Sequence, residues 1–75
     1  MQTGVVTGNY VTDSGAGIGV EPGSTVIGNT VLNTGGTGIF ANCPSNVTDN
    51  TAVNNAAGNL ILNGEGCNNT NNVAP

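Results

Sequence analysis

The side chains able to do chemistry are few, and they are scattered. Asp13, Glu21, Asp49 and Glu65 are the only carboxylates, and Cys43 and Cys67 the only thiols. Ser14, Ser24 and Ser45 offer hydroxyls, and Tyr10 and Phe40 are the only aromatic rings. Paired carboxylates could hydrolyse a glycosidic bond if held about 5–9.5 Å apart across it. A serine needs a neighbouring base to become a nucleophile. The chain has no Lys, no Arg and no His, so imidazole and amine bases are absent. The serines therefore read as turn residues. With no cation to meet a phosphate backbone, nucleic-acid binding is excluded as a partner class. Two thiolates without a histidine make a poor zinc site, so no metal and no cofactor are expected.

These residues must be positioned by something, and that something is a repeat. Val6-Thr7-Gly8-Asn9-Tyr10-Val11-Thr12-Asp13 returns as Val26-Ile27-Gly28-Asn29-Thr30-Val31-Leu32-Asn33, and again as Val47-Thr48-Asp49-Asn50-Thr51-Ala52-Val53-Asn54. Each unit closes with a second apolar segment: Gly17-Ile18-Gly19-Val20, Gly38-Ile39-Phe40-Ala41 and Asn59-Leu60-Ile61-Leu62. Fixed periods of this kind mark solenoids. The apolar residues alternate, in stretches too short and too β-branched for helices. The spacing predicts an all-β, right-handed parallel β-helix with rungs at about 6–25, 26–46 and 47–67 and a partial rung at 68–75. The extra residue of the second unit falls at Gly35-Gly36-Thr37.

Stacked rungs put equivalent residues in columns. Val6/Val26/Val47, Val11/Val31/Ala52/Val73, Ile18/Ile39/Leu60 and Val20/Ala41/Leu62 are expected to fill the interior. Asn9, Asn29, Asn50 and Asn71 are expected to form a hydrogen-bonded amide ladder. Asp13/Asn33/Asn54 forms a polar turn column, and Gly17/Gly38/Asn59 reads as a left-handed corner. The first residues are expected to be the last strand of an incomplete rung.

Placed in these columns, the acids fall at different corners and form no catalytic pair, so no enzyme activity is expected. Tyr10 and Phe40 also fall at different positions of the rung. They are candidate glycan contacts, although scattered aromatics commonly do no more than cover surface. The column holding Tyr10 reads Tyr10, Thr30, Thr51, Asn72, which lacks the regular threonine ranks of an ice-binding face. Asn46-Val47-Thr48 and Asn68-Asn69-Thr70 match the glycosylation pattern, as chance allows in so Asn- and Thr-rich a chain.

Cys43 and Cys67 lie on one outer corner, a rung apart and three positions out of step. A disulfide is the favoured reading, and two unpaired thiols remain the alternative. Closing a loop of roughly 25 residues would stabilise by about 3 kcal/mol.

Gly23-Ser24-Thr25-Val26-Ile27-Gly28-Asn29-Thr30-Val31 resembles the Asn/Gly/Thr-rich arrays of NosD-like bacterial secreted proteins, within the pectate-lyase-like superfamily of parallel β-helices. Cys43-Pro44-Ser45-Asn46 and Gly64-Glu65-Gly66-Cys67 are similar to the last rungs of those arrays. The resemblance implies a secreted or cell-surface location. The superfamily's lyases use calcium carboxylates and a basic residue, and no position here can supply that base. A non-catalytic structural or surface module is therefore expected, with a carbohydrate-binding module using the polar ladder face as the alternative.

Met1-Gln2-Thr3-Gly4 carries no basic leader segment, and no apolar run approaches a membrane span. A stack this short exposes both ends of its core, so self-association or upstream rungs of a longer chain are the expected partners.

Overall fold

A computed structural model describes residues 4–75. Ten short strands follow one another: β1 Val5–Thr7, β2 Tyr10–Thr12, β3 Ile18–Val20, β4 Thr25–Ile27, β5 Thr30–Leu32, β6 Ile39–Asn42, β7 Asn46–Thr48, β8 Thr51–Val53, β9 Leu60–Asn63 and β10 Asn68–Thr70. They form three parallel sheets, in the orders β1-β4-β7-β10, β2-β5-β8 and β3-β6-β9. Each strand from β1 to β7 pairs with the strand three places later in the chain. The result is the expected parallel β-solenoid of about three turns.

The pairing register reproduces most of the columns read from the sequence. Val6 stands opposite Val26, and Val26 opposite Val47. Val11, Val31 and Ala52 align, as do Ile18, Ile39 and Leu60. Val20, Val26, Val31, Ile39, Ala41, Val47 and Ala52 are buried to 1% exposure or less. Val6, Val11 and Ile18 at one end, and Leu60 and Leu62 at the other, are only partly covered. β-Branched side chains suit this interior, because a pleated strand three or four residues long holds them in one rotamer against the next rung.

Short strands demand sharp corners, and two columns supply them by a left-handed backbone. Gly8, Gly28, Asp49 and Asn71 have φ of 68°, 69°, 56° and 56°, and Asp13, Asn33 and Asn54 have φ of 55°, 57° and 60°. Asn and Asp tolerate this region better than other side chains, and glycine enters it freely.

The expectation of a left-handed corner at Gly17, Gly38 and Asn59 is wrong. None of the three has positive φ. Glycine is needed there for space: a Cβ on Gly17 would run into the Gly38 carbonyl oxygen, and one on Gly38 would lie 2.7 Å from the Asn59 carbonyl oxygen and collide with the Asn55 side chain.

The fourth rung also departs from the reading. Asn68, Asn69 and Thr70 pair with Asn46, Val47 and Thr48, a step of 22 residues rather than 21. A second extra residue sits in Gly64-Glu65-Gly66, where Gly64 and Gly66 have φ of 100° and 93°. It shifts everything after it by one position. Val73 therefore bridges to Thr51 and does not stand under Ala52. The column holding Tyr10 ends in Val73, not Asn72. The expectation that the first residues form the last strand of an incomplete rung falls on Met1–Thr3, outside the described residues.

Candidate functional site

Three corners of the rung carry polar columns, and the longest is the amide ladder. Its members are Asn9, Asn29, Asn50 and Asn72. Asn9 donates to Asn29 Oδ1 from its backbone N–H and from Nδ2, both at 3.0 Å. Asn29 makes the same pair of bonds to Asn50 Oδ1, and Asn50 to Asn72 Oδ1. The remaining Nδ2 hydrogens reach back to carbonyls one rung earlier: Asn29 to Val6 and Asn50 to Val26, both at 2.9 Å, and Asn72 to Val47 at 2.8 Å. Asn71, the expected fourth member, instead occupies the left-handed position that Asp49 fills one rung earlier. The register shift at Gly64–Gly66 causes the exchange. The signal for it was present in sequence: Thr48-Asp49-Asn50 aligns with Thr70-Asn71-Asn72.

Two further polar columns hold the other corners, where the sequence marks Ser24 and Ser45 only as turn residues and gives Thr34 and Asn55 no role. At the corner before β4 and β7, Gly4 N–H donates to Ser24 Oγ and Ser24 N–H to Ser45 Oγ, each at 3.2 Å. Ser24 Oγ and Ser45 Oγ in turn donate to the carbonyls of Glu21 and Asn42. At the third corner Thr34 N–H donates to Asn55 Oδ1, and Asn55 N–H and Nδ2 both donate to Asn59 Oδ1. Asn59 thus replaces a glycine with a side chain that closes this column. The sequence hint was the 21-residue step from Ser24 to Ser45.

The chemistry of these groups is hydrogen bonding between rungs. Asn29 and Asn50 are 1% and 2% exposed, so their carboxamides cannot meet a ligand from solvent. Every fully buried side-chain nitrogen or oxygen among the described residues has a partner. Exposed amide pairs also occur. Asn63 Nδ2 donates to Asn42 Oδ1 at 2.8 Å, and Asn68 Nδ2 to Asn46 Oδ1 at 2.7 Å.

Those two pairs flank the corner where Cys43 and Cys67 form a disulfide, with Cα atoms 5.0 Å apart. Cys43 N–H donates to the Asn63 carbonyl at 2.8 Å, which brings the last two rungs together beside the bridge. The Cys43–Pro44 peptide bond is cis. Gly64 and Gly66 pack beside Cys43 and Pro44. The inserted residue therefore lets the corner take up the offset between the two cysteines.

Tyr10 opens β2 and is 68% exposed. Phe40 lies in β6, on a different sheet, paired with Gly19 on one side and Ile61 on the other. The structure does not bring the two rings into one site. Phe40 instead lines a shallow depression with Thr37, Ala16, Gly17, Ile18 and Gly19, where two glycines leave room beside the ring. Among the described residues, no three of His, Cys, Asp and Glu come together. No helix there is long and apolar enough to cross a membrane.

The fold and its polar columns define the class, a short disulfide-bearing parallel β-solenoid. Comparison with protein-family models, curated proteins and solved structures finds no match to this chain.

Proposed function

We propose that this chain is a non-catalytic structural or surface module, of the kind that secreted solenoid proteins use to build a rigid body. One observation carries the reading: the buried polar side chains Ser24, Asn29, Thr34, Ser45, Asn50 and Asn55 all engage in hydrogen bonds that turn corners or link rungs. The disulfide supports an oxidising, extracytoplasmic compartment. The resemblance to NosD-like arrays is what adds a bacterial source to the proposal.

A second reading, a carbohydrate-binding module, draws on the depression beside Phe40. An aromatic ring edged by glycines, with the Asn42–Asn63 amide pair on the same sheet, suits a sugar ring and its hydroxyls. The buried ladder itself is not the contact surface in this version.

Glycan-array binding separates the two. The structural reading expects no glycan retained above background by the wild-type protein. Binding that is lost in Phe40→Ala, with the melting temperature kept, would replace it with the second reading. Binding lost in Tyr10→Ala alone would place the contact on β2.

A further inference from the structure

The two ends of the stack are unlike. At the C-terminal end Asn69 stands in the column of Val6, Val26 and Val47, and its Oδ1 accepts from Asn72 Nδ2 at 2.6 Å. The chain then runs along β8 to the third corner: Ala52 N–H donates to the Val73 carbonyl, and Asn59 Nδ2 to the Pro75 carbonyl, both at 2.8 Å. Polar residues and a tail thus cover this end along two of the three sheets, while Leu60 and Leu62 of β9 stay partly covered. At the N-terminal end the same columns finish in Val6, Val11 and Ile18, partly covered and aliphatic, and Val5 is 74% exposed.

The N-terminal end also has a defined polarity. Thr25 N–H donates to the Gly4 carbonyl and Gly8 N–H to the Ile27 carbonyl; Thr30 N–H donates to the Asn9 carbonyl and Asp13 N–H to the Leu32 carbonyl. A parallel ladder alternates, so the N–H and C=O groups of Val5, Thr7, Tyr10 and Thr12 turn away from the stack, toward the open end. At every corner the earlier rung donates and the later rung accepts through a side-chain oxygen. Asn9 Oδ1 is the one ladder acceptor with no donor among the described residues.

We propose that this N-terminal face is an interface for the C-terminal face of one further rung of the same repeat, carried on the same polypeptide. The ladder asparagine of that rung would donate its backbone N–H and Nδ2 to Asn9 Oδ1, and its inward aliphatic residues would cover Val6, Val11 and Ile18. Gly4 stands at the corner where Ser24 and Ser45 hand one rung to the next, so a preceding rung joins there without a loop. A second copy fits less well. Its exposed end would set Asn69 against Val6. Its last rung also lacks a strand on the β3-β6-β9 side, which would leave a strand-wide gap under β3. Head-to-head contact would face acceptor with acceptor.

The test compares three extended proteins, all containing the full chain. In the first, a copy of residues 5–24 is inserted between Gly4 and Val5. In the second, a copy of residues 26–46 follows Pro75. The third is the first with its added ladder asparagine changed to Leu. The N-terminal extension should raise the melting temperature by at least about 4 °C. Amide exchange at Val5, Thr7, Tyr10 and Thr12 should slow by about tenfold or more, because those groups gain partners. The C-terminal extension should leave those four amides unchanged and raise the melting temperature less, and the Leu version should lose a large part of the gain. Equal gains from the two extensions would overturn the proposal. So would unchanged exchange at those four amides. A stable head-to-tail oligomer of the unextended chain, seen by light scattering at micromolar concentration, would assign the face to a second copy and overturn it too.

Discussion

Replacing Asn29 by Ala should be far more damaging than the same change at Asn9, although both belong to one ladder. Asn29 Oδ1 accepts two hydrogen bonds from Asn9, and its Nδ2 donates to Val6 O at 2.9 Å, Asn50 Oδ1 at 3.0 Å and, more weakly, Ile27 O at 3.3 Å. The residue is 1% exposed, so water cannot fill the place of the lost amide without rearrangement. At about 1 kcal/mol for each well-formed buried bond, with a further penalty for partners left bare, the loss comes to about 3–4 kcal/mol. Asn9 is exposed, and its Nδ2 partners Asn29 Oδ1 and Thr7 O remain near solvent or keep other donors, so Asn9→Ala should lose about 1 kcal/mol. For a domain this size each kcal/mol moves the melting temperature by about 4–8 °C. Asn29→Ala should therefore melt at least about 12 °C below wild type, and Asn9→Ala less than about 8 °C below. Thermal and urea unfolding followed by circular dichroism at 218 nm, a wavelength chosen for about its β-sheet signal, reads both. Losses equal within about 0.5 kcal/mol would refute the reasoning, since burial of the ladder is what separates the two sites.

Other outcomes follow from the same geometry. Reducing the Cys43–Cys67 bridge opens a constraint spanning a sequence separation of 24, and should destabilise the chain by about 3 kcal/mol in a denaturant titration with and without reductant. Gly38→Ala should lose about 3 kcal/mol or fail to fold, because its Cβ meets Asn59 O and Asn55; Gly8→Ala meets nothing within 4 Å and should lose only about 1–2 kcal/mol, from its φ of 68°. Asn29→Asp places a carboxyl in a buried site, where burial raises its folded-state pKa above the unfolded value of about 3.9. The folded state then holds its proton to higher pH, so the variant should be most stable near pH 3 and lose stability relative to wild type as pH rises to about 7. Parallel unfolding curves for variant and wild type across that range would contradict it.

The architecture was legible because the same information is written three times. Val26, Asn29 and Val31 keep their spacing in the units around Val6, Asn9 and Val11 and around Val47, Asn50 and Ala52, so fold, register and core emerge from periodicity alone. Legibility failed where a unit changes length. The extra residue at Gly64–Gly66 is hidden in a loop of polar and small residues, where no apolar position fixes the count. Asn71 and Asn72 are the same residue type, so only the match of Thr70-Asn71-Asn72 to Thr48-Asp49-Asn50, and not composition, separates the one that turns the chain from the one that bonds to Asn50. Glycine was ambiguous for a related reason. Gly8 and Gly17 look alike in sequence, yet one serves a left-handed turn and the other a close approach of backbones. Asn55 and Ser24 were missed as stacking residues because polar residues in corners ordinarily face water, and only the narrowness of this solenoid buries them.

The central claim is that the polar columns hold the rungs in a 20-, 21- and 22-residue register. Nuclear Overhauser contacts from the Asn50 side-chain amide, in a selectively labelled sample, test it most directly. The account predicts contacts to Asn29 on one side and Asn72 on the other, with slow exchange of the Asn29 and Asn50 Nδ2 protons. Contacts to Asn71 in place of Asn72, or Nδ2 protons that exchange as fast as those of a free asparagine, would contradict it.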